Sequence, residues 1–139
     1  MNKEFENGED KLSDETRAGL KHLSKAMLRL HKTLLDAAKL EYEAKNGRIE
    51  SVNQYFQLVI DDPHFAWLRK ISALIALIDE AVSVRRPATE AEANGLMNEA
   101  KLLFNFQDAD ESFNDKFQTA LQSNKDAVLG YNDAMKYLS

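Results

Sequence analysis

From Asp62 to Val82 the chain carries Pro63 at its start and few charges, chiefly Arg69, Lys70, Asp79 and Glu80. Asp62 suits a helix N-cap and Pro63 the first helical position, so the segment predicts a helix that is apolar nearly all round. Trp67, Leu68, Ile71, Leu74, Ile75, Ile78 and Val82 share one broad arc, and Ala66, Ala73, Ala76 and Leu77 lie on the reverse. A helix with that pattern needs neighbours on more than one side. The remainder of the chain is expected to supply them.

Five Gly and two Pro in 139 residues leave little material for turns, which favours long helices. Residues 1–12 are polar and acidic apart from Phe5 and are expected to be a frayed tail, with one domain spanning 13–139. Ser13 can cap a helix that runs to about Lys45 and ends at Asn46-Gly47. Leu20, Leu23, Met27, Leu30, Leu34 and Ala37 alternate steps of three and four, with Leu28 and Leu35 widening the stripe. Ser51 can cap a short elbow helix, Val52 to Ile60, striped by Val52, Tyr55, Phe56 and Val59. Thr89 with Glu92 reads as a capping box for a helix through Ala93, Leu96, Met97, Ala100, Leu103 and Phe104. Phe113, Phe117, Ala120 and Leu121 then lead to a break at Ser123-Asn124, making the end either one kinked helix or two. The expectation is an all-α antiparallel bundle of four main helices plus the elbow.

The absence of Cys excludes a disulfide scaffold and any thiolate chemistry. A formal charge of −5 with scattered Lys and Arg argues against nucleic acid, which requires a clustered basic face. The apolar run from Ile71 to Ile78 is far short of the roughly 20 residues of a membrane helix. The first eleven residues lack the apolar stretch of a signal peptide, so a cytoplasmic protein is expected.

His31 falls inside the apolar arc of the first helix, where an imidazole must be neutral or find a partner. It is either a structural histidine hydrogen-bonded to a neighbouring helix or part of a polar pocket. The pocket would combine His31, Tyr42, Trp67, Ser72 and Asp79, with Glu41 nearby, and would give a small-ligand or hydrolytic site. His64 in the first turn of the central helix is expected to pack at the boundary beside Trp67 or Leu68. Neither Glu-x-x-His nor His-x-x-x-His spacing occurs in a continuous helix, so neither metal nor cofactor is expected.

The run Asp62-Pro63-His64-Phe65-Ala66-Trp67-Leu68-Arg69, with Ser72, Leu74-Ile75 and Ile78-Asp79-Glu80, resembles a group of small uncharacterised bacterial proteins. Leu30-His31-Lys32-Thr33-Leu34-Leu35 and Glu41-Tyr42-Glu43 are similar to that group as well. The resemblance implies a bacterial, cytoplasmic setting and no activity. The leading expectation is therefore a non-enzymatic interaction or regulatory module. It would self-associate through Ala66, Ala73, Ala76 and Leu77 or through the Phe-rich C-terminal segment, or else bind another protein.

Overall fold

The computed structural model describes residues 11–138. Among these the chain forms seven helices and no strand: α1 (Asp14–Asn46), α2 (Val52–Asp61), α3 (Pro63–Ala66), α4 (Arg69–Ala81), α5 (Glu90–Phe104), α6 (Glu111–Gln122) and α7 (Lys125–Met135). The all-α class holds, but the count of four main helices and an elbow does not.

Two breaks account for the difference. The stretch from Pro63 to Val82 is interrupted at Trp67-Leu68, where Leu68 N–H donates to Phe65 O at 3.1 Å and Ile71 N–H to Leu68 O at 3.1 Å. These three-residue spans tighten the backbone locally and separate α3 from α4. The C-terminal segment is two helices, because Asn124 caps α7 by accepting from Ala127 N–H.

Local chemistry fixes the other ends. Ser13 accepts from Thr16 N–H, Ser51 from Gln54 N–H, and Asp62 from His64 N–H ahead of Pro63. Thr89 and Glu92 exchange both bonds of a capping box. The end of α5 is less ordinary. Phe106 adopts φ 58°, and its N–H and that of Gln107 donate to Leu103 and Leu102 carbonyls. That is a Schellman closure with a phenylalanine where glycine is usual.

Helix α1 is the spine. Its Leu20, Leu23, Ala26, Met27, Leu30, Leu34 and Ala38 are buried, each large side chain contributing about 1.5–3 kcal/mol. It meets α4 through Ser24 and Asp79, and α7 through Arg29 and Asp133 and through Leu30 against Gly130. Leu28 does not widen the buried stripe; it is 56% exposed. Leu12, assigned to the tail by sequence, is buried, and Lys11 bridges to Thr89 at the start of α5. Phe5 lies outside the described residues.

Helices α5, α6 and α7 close over an aromatic cluster. The Phe117 ring lies 5.5–6.3 Å from those of Trp67, Phe104, Phe106, Phe113 and Tyr131. Tyr131 Oη donates to the Phe104 carbonyl at 2.6 Å, satisfying an acceptor in the last turn of α5. Phe104, Phe113 and Phe117 are buried, so these rings of the Phe-rich segment belong to the core.

Candidate functional site

The polar constellation anticipated around His31 and Asp79 is strung along α1 instead of gathered. Ser24 Oγ donates to Asp79 Oδ1 at 2.6 Å. Ser24 precedes His31 by seven residues, about 10 Å along the helix axis. His31 is half-buried; burial pushes its imidazole below the usual histidine range, and a hydrogen bond to the Leu68 backbone offsets part of that. Ser72 donates to the Arg69 carbonyl of its own helix. Tyr42 packs near His64 and Phe65, with ring centroids 6.0 and 5.8 Å away. With His31 and Asp79 apart, these two residues do not form an acid–base pair.

Trp67 belongs elsewhere. It lines two adjoining cavities of about 280 Å³ each, which share Glu41, Trp67, Ala120 and Ser123 in their walls. Glu41 comes from α1, His64 from α3, and Asp115, Lys116 and Thr119 from α6. His64 Nε2 lies 2.8 Å from the Ala38 carbonyl and 3.8 Å from Glu41 Oε1. The carbonyl favours an imidazole that carries its proton on Nε2. Sequence reasoning named Trp67 and Glu41 but missed Asp115 and Thr119, because the partner of the Trp67 turn is decided by how α6 folds back.

Two apolar faces remain open. On α4, Ala73 and Ala76 are exposed and Leu77 is 56% exposed. Ala66 does not belong to that face: it is half-buried and sits in α3, beyond the tightened turn. Helix α2 is the stronger case, because it buries no residue. Tyr55, Leu58 and Val59 pack partly against the core, whereas Val52, Phe56 and Ile60 are 75%, 62% and 54% exposed. The spacing of four places these three on one outer stripe that drifts about 40° per step.

Among the described residues no helix is long and apolar enough to cross a membrane, and no three His, Asp or Glu side chains gather as a metal ion would require. No protein-family model matches the chain, and no curated protein or solved structure matches it either. Its function must be reasoned from its own residues.

Proposed function

We propose that this protein is a non-enzymatic interaction module that pairs with a second copy of itself through the outer face of α2. The observation that carries this is the Val52, Phe56 and Ile60 stripe, the open side of a helix that is apolar on both sides. Its surroundings suit a self-contact. Asp61 is the sole charged residue of α2, so two copies meet without facing like charges. In an antiparallel pair Val52 would face the partner's Ile60, Phe56 would face the partner's Phe56, and each Asp61 would approach the positive end of the opposing helix.

The scaffold behind that face is read as an antiparallel bundle. As α1 ascends through Ser24 and His31, its contacts descend from Asp79 on α4 to Leu68 in the turn just before α4. On α7 they descend likewise, from Tyr137 just beyond its end, stacked on His22, to Gly130 beside Leu30. A chain without Cys suits a reducing compartment such as the cytoplasm. The Ala73, Ala76 and Leu77 face ranks second, because alanines bury little area and Glu80, Arg69 and Lys70 share that helix. A hydrolytic role is not favoured, since His31 and Asp79 are apart.

Six side chains contributing roughly 1–2 kcal/mol each exceed an association cost near the low end of about 4–15 kcal/mol by only a few kcal/mol, so a weak dimer is expected. Sedimentation velocity between about 1 µM and 1 mM spans that affinity range. The expected result is a concentration-dependent dimer that Phe56→Glu converts to monomer while leaving the circular dichroism unchanged. A strict monomer throughout, or a dimer indifferent to Phe56→Glu, would overturn the proposal.

A further inference from the structure

The cleft beside Trp67 has a composition that the self-pairing face does not explain. One wall is Glu41 on α1; the other is α6, where Asp115 and Thr119 are spaced four apart and so share an edge. Trp67 lines the same cleft, its ring packed near those of Phe113 and Phe117 at 6.0 and 6.3 Å. Among the described residues neither Glu41 nor Asp115 pairs with a Lys or Arg. Lys116 is the sole Lys or Arg in the lining.

The arrangement selects a ligand class. Two carboxylates without a Lys or Arg partner disfavour an anion, and a cavity of about 280 Å³ is at the small end of ligand sites. A metal ion is poorly served, because Glu41, His64 and Asp115 line the cleft without converging as a metal ion requires. A diffuse positive charge has no such need: it is attracted by an indole face and by carboxylates at the longer distances that a cleft allows. We infer that this cleft binds a small organic ammonium cation, held between Glu41 and Asp115 against the Trp67 ring.

Trp67 is the only tryptophan in the chain, so its emission reads the site directly. Titration with tetramethylammonium chloride, against sodium chloride at matched ionic strength, should give a saturable change in emission that the sodium salt does not produce. Glu41→Gln and Asp115→Asn should each weaken the midpoint by roughly tenfold. Glu99→Gln, on α5 and outside the cleft, should leave it unmoved. Lys116→Gln should tighten binding by removing the competing charge. A linear response without saturation, a midpoint in both carboxylate variants unchanged from the parent, or weaker binding in Lys116→Gln would overturn the inference. Circular dichroism of each variant separates loss of binding from loss of fold, which these surface exchanges are expected to spare.

Discussion

Phe106 holds the left-handed position that closes α5, and its neighbours show why it is tolerated. Its ring stacks on Tyr131 at 5.9 Å and meets Phe117 edge-on at 5.5 Å, so aromatic packing holds a backbone geometry that costs a non-glycine residue about 1–2 kcal/mol. Two truncations separate these effects. Phe106→Ala removes the ring and keeps the strained φ. Phe106→Gly removes the same ring and relieves the strain, at a cost of roughly 0.5–1 kcal/mol in lost chain freedom on folding.

Both variants should be less stable than the parent by about 1–3 kcal/mol, the ring being half-buried. The glycine variant should nevertheless exceed the alanine variant by about 0.5–1 kcal/mol. At an ordinary helix position the order is the reverse by a similar amount. Urea unfolding followed by Trp67 emission resolves this, since 1 kcal/mol moves the midpoint by about 0.3–1 M. Trp67 packs on Phe113 and Phe117 and therefore reports loss of the same cluster. An alanine variant as stable as the glycine variant, or more so, would refute the assignment of strain to Phe106.

Gly95 supplies the opposite case within the same helix: a Cβ built there meets nothing within 4 Å, so Gly95→Ala should raise stability by about 0.8–1 kcal/mol in the same urea assay. His31 sets a pH dependence, because burial holds its folded pKa below the ordinary 6.5, so the unfolded chain binds the extra proton first. Stability should therefore fall as pH drops from about 6.5 toward the depressed folded value, and His31→Gln should remove that part of the slope when pH 5.5 and 7.5 are compared.

What the sequence disclosed was mostly local. Ser13, Ser51, Asp62 and Thr89 with Glu92 all cap the helices they were expected to cap, because a cap is decided within three residues. Which faces meet is decided across the chain and was read less well. Leu28 sits one step from the buried Met27, yet α7 packs on the side of Leu30 and leaves Leu28 in solvent. Asp79 and Ser72 share an arc of α4, but Asp79 meets Ser24, two turns before His31. The αL residue at Phe106 had no signal at all, since the glycine that would mark it is absent.

The chain carries more apolar side chains than its core accepts, and where the surplus falls is informative. Leu28, Leu40 and Leu129 are exposed in separate places, which is ordinary for a protein surface. Val52, Phe56 and Ile60 are different: they repeat every four residues on a helix whose inner side already packs through Tyr55, Leu58 and Val59. Helix α2 needs only that inner side to dock, so the core does not require the outer stripe. A charge at any of the three positions would cost the monomer little and would blunt an association hazard. Keeping all three apolar and side by side is what a helix needs when it is to be covered by a second one.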